Sequence, residues 1–500
     1  MPRALHIFAI LAVWLTASAS FAATDRVALV LGMGGYQTIT PLENTRNDAK
    51  AMAKTLDGIG FDVTLSLDAT TNQLHQLLED FAFRSETADL ALIYFAGHGV
   101  EVQGENFLIP VDANVQSNLD VQRQSVSLKQ LLAAVERARK MRIVILDSCR
   151  DNPLGDSIDL SEVTKAETVE AAEATRGGGG LAAANPERGT LVAFAAKDGQ
   201  VALDGTTDNS PYALALMEKM VTPGLEISLM FRQVRDRVLE ETSNLQEPHT
   251  YGSLTGVPFY LAGAAEGQQD LTGTNAQDDW ASIRPDQEEQ LLALADLGDT
   301  RSMLGLAFMR LNPNEGRFDP ASAVSFLERA SEAGSPQAQF ELAKLYERGT
   351  GVPVDEKRAL ELYQAAADQN FSDAINDLGF LHYQGGLGLL SNPKKALKYF
   401  ERAADLRHPQ AQFNFAALID DGLIPSKGPE DAAFYLYAAL RSGSSDVLNL
   451  LTERPNMFTG ETRRELQKQL RKYDFYSGSI DGDFGPGTKR SIRKAYGIDD

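Results

Sequence analysis

Apolar positions between residues 26 and 262 follow two alternating rhythms. Continuous apolar runs bounded by glycine or polar residues predict strands at 26–32, 60–65, 90–98, 142–149, 189–196 and 257–261. Runs with apolar residues every three or four positions predict helices near 45–56, 72–83, 127–138, 211–220 and 225–241. In the first of these Ala49, Met52, Ala53 and Leu56 share a face. Strands alternating with helices imply an α/β domain: a mostly parallel six-stranded sheet flanked by helices, with right-handed crossovers.

The rhythm then changes. Residues 263–285, rich in Gly, Gln, Asp, Thr and Asn, read as a linker. Beyond it an amphipathic helical unit recurs, beginning at Ala323, Ala359, Ala396 and Ala432, with offsets of 36, 37 and 36. Small alanines where helices cross and aromatics in the gaps predict an all-α solenoid of stacked hairpins. A last segment reads as helix, glycine-punctuated turn and helix. The expected organisation is 1–23 signal peptide, 24–262 α/β domain, 263–285 linker, 286–452 repeats and 459–500 a small helical domain. A chain of 500 residues is long enough for several such cores.

Composition is globular, with 43% hydrophobic and 23% charged residues. The formal net charge of −22 argues against nucleic acid or an anionic membrane as main partner. The amino terminus carries Arg3, an apolar stretch from Ile7 to Leu15 too short to span a bilayer, and small residues around Ala22 and Ala23. That is the pattern of a cleaved secretory signal and predicts a periplasmic or secreted protein; an uncleaved anchor is the alternative. No later stretch is long and apolar enough for a transmembrane helix.

Cys149 is the only cysteine. In an exported protein, where cysteines are usually paired, it is a candidate reactive thiol. A small buried core residue is the plainer alternative, poorly matched to the neighbouring Arg150 and Asp151. Cys149 ends one predicted strand and His98 another, 51 positions earlier. Neighbouring parallel strands present their C-terminal ends on one edge, where sites form. A thiol and an imidazole there suffice for nucleophilic attack on an amide, Cys149 as nucleophile and His98 as acid and base. Gly99 leaves its N–H unobstructed and, with the N–H of Cys149, would bind the oxyanion. Asp147 shares a strand face with Cys149 and would line an S1 pocket favouring a basic residue. Asp198 is the candidate second carboxylate there, and Asp204 reads as a turn aspartate.

These residues carry a family resemblance. Ala28-Leu29-Val30-Leu31-Gly32 with Tyr36, then Leu42, Asn44, Asp48 and Ala49, then Tyr94 to Gly99 and Leu146 to Asp151 resemble the caspase–metacaspase class, peptidase C14, above all its bacterial members. Ser210-Pro211-Tyr212 continues the likeness less sharply, and Met33 departs from it where an asparagine is common. The spacing agrees with a caspase-type dyad, whose histidine lies about 50 residues before the cysteine. The resemblance implies a cysteine endopeptidase acting on protein or peptide, with Asp147 in the basic-P1 position of metacaspases. By analogy Arg176, before glycines 177–180, is a candidate processing site. It implies no cofactor beyond a calcium response, for which the sequence assigns no residues. The repeats resemble Sel1-like units, cousins of tetratricopeptide repeats, which implies a protein partner. Residues 478–488 resemble a peptidoglycan-binding-like domain, which implies a cell-wall ligand or a structural cap. The competing functional reading is a catalytically inert envelope scaffold in which the solenoid does the work.

Overall fold

A continuous apolar strand is stable only where both sheet faces are covered. β3 (Leu90–Val102) is such a strand: residues 90–100 are all buried. It lies at the centre of a sheet in the computed structural model, which describes residues 26–149, 189–197, 202–205, 207–254, 258–263, 280, 283, 285–313 and 316–498. The others are β1 (Arg26–Gly32), β2 (Asp62–Leu67), β4 (Glu105–Leu108), β5 (Val126–Ser127), β6 (Met141–Cys149), β7 (Thr190–Phe194) and β8 (His249–Ser253). The main sheet has the order β2-β1-β3-β6-β7-β8. Every neighbouring pair in it is parallel except β7 with β8.

Two strand expectations are corrected. β3 does not stop at His98. Residues 90–98 pair with β6, and residues 99–102 leave the main sheet to form a hairpin with β4. Among the described residues the last strand is β8, not residues 257–261. That apolar run contains Pro258, which has no N–H for a ladder, and among its described residues only Tyr260 forms a bridge, to Glu226. β8 is an edge strand and needs no continuous apolar run to be stable there.

The flanking helices are α1 (Thr45–Gly58), α2 (Thr71–Ser85), α3 (Asn118–Gln124), α4 (Leu128–Val135), α5 (Pro211–Met220) and α6 (Ile227–Glu241). Their ends follow local chemistry. Thr70 and Ser127 form capping boxes with Gln73 and Gln130, and Ser210 caps α5 ahead of Pro211. These elements belong to a compact unit, Thr24–Gln290; a second comprises Leu291–Asp500. Within the stretch read as a linker, Trp280 and Ile283 are buried.

After α7 (Pro285–Asp296), the second unit is helical: α8 (Thr300–Leu311), α9 (Pro320–Glu332), α10 (Pro336–Arg348), α11 (Glu356–Asp368), α12 (Ser372–Gln384), α13 (Pro393–Asp405), α14 (Pro409–Asp420), α15 (Pro429–Arg441) and α16 (Ser445–Glu453). Antiparallel pairs α8–α9, α10–α11, α12–α13 and α14–α15 stack as a solenoid. Ala323, Ala359, Ala396 and Ala432, the repeat markers, have no exposed surface. There the helix backbones approach closely, and a larger side chain would force them apart.

A short C-terminal domain, α17 (Gly460–Lys472) and α18 (Pro486–Tyr496), closes this unit. It is fastened to the solenoid end. Thr459 bonds Asp420 through both its N–H and its hydroxyl, Arg441 donates to the Ala495 carbonyl at 2.8 Å, and Tyr437 stacks on Tyr473. Among the described residues no helix is long and apolar enough to cross a membrane.

Candidate active site

The site begins with register. In the parallel pair of β3 and β6, Ala96 lies opposite Asp147 and His98 opposite Cys149. Cys149 is the last residue of β6 and is placed here by its backbone alone. His98 is the last residue β3 gives to the main sheet.

The His98 imidazole is buried, at 6% exposure. Its Nε2 lies 2.8 Å from the Thr40 carbonyl oxygen. A carbonyl only accepts, so Nε2 carries the proton and Nδ1 keeps a free lone pair. Burial lowers the imidazole pKa, opposed by the Thr40 bond and by Asp204. The ring is therefore neutral at neutral pH. Tyr36 holds the residue from behind: its hydroxyl accepts the His98 backbone N–H at 2.7 Å, and its ring lies 4.7 Å from the imidazole. Gly97 makes this possible, because a Cβ there would stand 2.6 Å from the Tyr36 hydroxyl.

Successive amides of a strand point to opposite sides. The Ala96 carbonyl accepts from Met33 beyond β1, and His98 uses its N–H on Tyr36 and its carbonyl on Ile109. Both residues therefore face the β1 side. The intervening alternation turns the Gly99 N–H the other way, toward the side where β6 ends.

Asp147 is buried under the same edge. Its Oδ2 accepts from Tyr94 Oη at 2.9 Å and Ser210 Oγ at 2.8 Å. A second carboxylate, Asp48 on α1, accepts at Oδ1 from Asn209 Nδ2 at 2.8 Å and the Ser210 N–H at 3.0 Å. Ser210 thus bridges two buried acids. Neither forms an ion pair among the described residues, and Asp48 Oδ2 and Asp147 Oδ1 accept no hydrogen bond there. Burial, then the proximity of Asp48, raises the Asp147 pKa to about 7; burial raises Asp48 to about 6. Among the described residues this cluster holds two carboxylates and no cation paired with them.

Sequence reasoning passed over Asp48, Ser210, Tyr94 and Tyr36 as site residues. The signal for Asp48 was available. It occupies the buried face of α1 with Thr45, Ala49, Met52 and Leu56, where a carboxylate has no place in a plain core. Asp204, read as a turn aspartate, is exposed yet near enough to His98 for each charge to shift the other. Its backbone carbonyl accepts from Asn44 Nδ2 at 2.7 Å, which ties this turn to the start of α1. Asp198 and Arg176 lie outside the described residues. Among the described residues, no cluster of His, Cys, Asp and Glu is arranged to hold a metal ion.

Comparison with known proteins identifies the domains. The caspase-domain model matches residues 25–259, the Sel1-repeat model matches 300–335, 336–371 and 372–408, and a peptidoglycan binding domain model matches 459–495. The hairpin of α14 and α15 continues the repeat beyond the last matched unit. Among curated relatives, chitin synthase regulatory factor 3 of Schizosaccharomyces pombe is 29% identical over 158 residues, 30% of this chain. Mucosa-associated lymphoid tissue lymphoma translocation protein 1 of Homo sapiens is 28% identical over 145 residues, 29% of this chain. The chain spans 17% of the length of each. A solved Sel1 repeat protein from Oxalobacter formigenes is 22% identical, with a TM-score of 0.32 over 43% of this chain and 56% of that one. Residues 25–259 are a caspase domain of the peptidase C14 family, followed in the same chain by Sel1 repeats and a domain of the peptidoglycan-binding kind.

Proposed function

We propose that the protein is a cysteine endopeptidase that cuts after arginine or lysine. The carrying observation is the buried pair Asp48 and Asp147 beside the ends of β3 and β6, which no cation among the described residues neutralises. Burying two carboxylates without a cation is costly, and a basic P1 side chain supplies the missing charge.

In the reaction, the Cys149 thiol gives its proton to His98 Nδ1 and the thiolate sulfur attacks the scissile carbonyl carbon. The oxyanion is bound by the N–H groups of Gly99 and Cys149. The C–N bond breaks as His98 returns the proton to the leaving amine, leaving a thioester. Water, deprotonated by His98, hydrolyses the thioester and restores the thiol. Thr40 and Tyr36 hold the imidazole throughout.

The reading extends to the rest of the chain. The amino-terminal signal pattern supports export to the periplasm or beyond, the Sel1 repeats a protein partner, and the C-terminal domain attachment to peptidoglycan. Self-cleavage after Arg176 would separate two parts of the caspase domain. An Arg176→Ala protein processed like wild type overturns that last element alone.

The decisive experiment is cleavage of fluorogenic peptides with Arg, Lys or Asp at P1, by the mature protein and by Cys149→Ala, with and without calcium. Cleavage after Arg or Lys that vanishes in the variant supports the reading. No cleavage under any condition overturns it in favour of an inert scaffold.

A further inference from the structure

The C-terminal domain contains a cleft of about 820 Å³ between the turn at residues 475–483 and the start of α18. One buried side chain builds the turn. Gln467 Oε1 accepts the Gly482 N–H at 2.8 Å, and its Nε2 donates to Asp481 Oδ1 and to the Asp483 carbonyl, both at 3.0 Å. Gly482 has φ of +81°, and a Cβ there would stand 2.8 Å from the Gly460 carbonyl oxygen. The walls are therefore fixed before any ligand arrives.

Three features of the α18 wall point to one ligand chemistry. Arg490 and Lys494, one turn apart, line the cleft and form no ion pair among the described residues. Ser491, 7% exposed, also lines it, and its hydroxyl has no hydrogen-bond partner there. The first turn of α18 begins at Gly485 with no side-chain cap, so the N–H groups of Gly487 and Thr488 lack acceptors. All are donors, two are cations, and the helix N-terminus adds to the same sign. Two carboxylates also line the cleft. Asp481 is committed to Gln467 and the Asp483 N–H, and Asp483 makes no side-chain bond.

We propose that this cleft binds a free carboxylate of a peptide, held by Arg490 and Lys494 with Ser491 and the uncapped N–H groups as further donors. Asp483 is available to an amino group on the same ligand. The proposal deepens the wall-attachment reading and rests on it: it assigns recognition to the peptide of peptidoglycan rather than to its glycan.

The test uses the full-length mature protein. Binding of a synthetic stem tetrapeptide ending in a free carboxylate is measured by calorimetry beside its C-terminal amide, a poly(glycerol phosphate) and isolated sacculi. The acid should bind about tenfold or more tighter than the amide. Arg490→Ala/Lys494→Ala should bring acid binding down to the amide level; both side chains are exposed, so folding is not at stake. Equal binding of acid and amide overturns the proposal, as does equal binding by wild type and variant. Tighter binding of the phosphate polymer overturns it in favour of a phosphate-bearing wall component. Sacculi bound equally by wild type and variant would sink the carboxylate site while leaving wall attachment standing. Failure of wild type on sacculi, with the free acid still bound, would sink wall attachment alone.

Discussion

The caspase domain and the solenoid differ in how far their polar contacts recur. In the solenoid several contacts recur from repeat to repeat. Arg329 donates to the Ala295 carbonyl at 2.7 Å, and Arg402, two repeats on, to the Ala367 carbonyl at 2.6 Å. Asp319, Asp355 and Asn392 each cap the second helix of their hairpin. Such bonds are locally satisfied and shared among repeats, as a stack of like units requires. At the strand ends of the caspase domain nothing recurs. Among the described residues two buried acids stand without a cation, and one ring nitrogen of the His98 imidazole makes no hydrogen bond. The solenoid also holds single unsatisfied groups, such as the Asn376 and Gln412 side-chain oxygens and Asp377, whose pKa burial raises to about 6, so what marks chemistry is the gathering of such groups at one sheet edge.

The contrast breaks first at the acid pair. Asp147→Asn keeps the shape and removes a charge that a buried cation would need. Cleavage after Arg should fall by about 10²–10³ in kcat/KM, the range for stranding one partner of a buried pair. Asp48→Asn should act in the same direction. Undiminished Arg cleavage by both variants would remove the acid pair from specificity and leave its burial unexplained.

The same pair gives a pH signature with a definite sign. Both carboxyls have folded-state pKa values raised by burial above the ordinary carboxylate value. The folded state therefore holds these protons more tightly than the unfolded chain. Their contribution to stability is fully present below about pH 4 and is lost as pH rises through about 6 and 7, by at most about 1.4 kcal/mol per pH unit for each proton. Asp147→Asn should flatten this fall between about pH 4 and 7 in urea titrations followed by fluorescence. Over the same window kcat/KM for Arg substrates should rise with pH, as the pocket becomes anionic. A slope unchanged in the variant would mean that the pair does not titrate there.

Legibility divided along similar lines. The buried strands β1, β3, β6 and β7, the repeat period and the places of His98 and Cys149 at neighbouring strand ends followed from apolar patterning, because burial on both faces leaves no freedom in those runs. β8 did not, since an edge strand such as His249-Thr250-Tyr251-Gly252-Ser253 has no apolar rhythm, and the nearby run at 257–261 imitated one. The bridging role of Ser210 was out of reach as well. It joins residues 162 and 63 positions away, a closeness set by the packing of α5 on the sheet rather than by any local pattern. Asp48 lay between these cases, visible as an acid on an apolar helix face and recognisable as a site residue only once Asp147 stood beside it.

A smaller test reaches His98 without touching its ring. Gly97→Ala would place a methyl 2.6 Å from the Tyr36 hydroxyl, 2.8 Å from Phe95 Cζ and 3.0 Å from Met33 Cβ. Overpacking of this kind costs about 1–3 kcal/mol. The site should lose activity more than stability alone predicts, because the displaced group is the acceptor of the His98 N–H. Thermal unfolding and kcat measured together on the purified variant check this. A full loss of stability with kcat unchanged would mean that Tyr36 supports the sheet and not the imidazole.

The smallest expected effects lie in the repeats, where they sharpen the comparison most. Arg329→Ala and Arg402→Ala each remove a partly exposed charged donor from a helix-end carbonyl. Such bonds contribute about 1 kcal/mol once solvent competition is allowed for. If repetition means interchangeable architecture, the two losses should agree within about 0.5 kcal/mol in urea unfolding. The pair should also be additive, since the two residues stand two repeats apart. A strong effect at one position and none at the other would show that one repeat carries something its copies do not. Arg402 is the place to look, because its guanidinium also holds the Asn370 side chain at 2.7 Å, whereas the second contact of Arg329, to Asp296, is 3.4 Å.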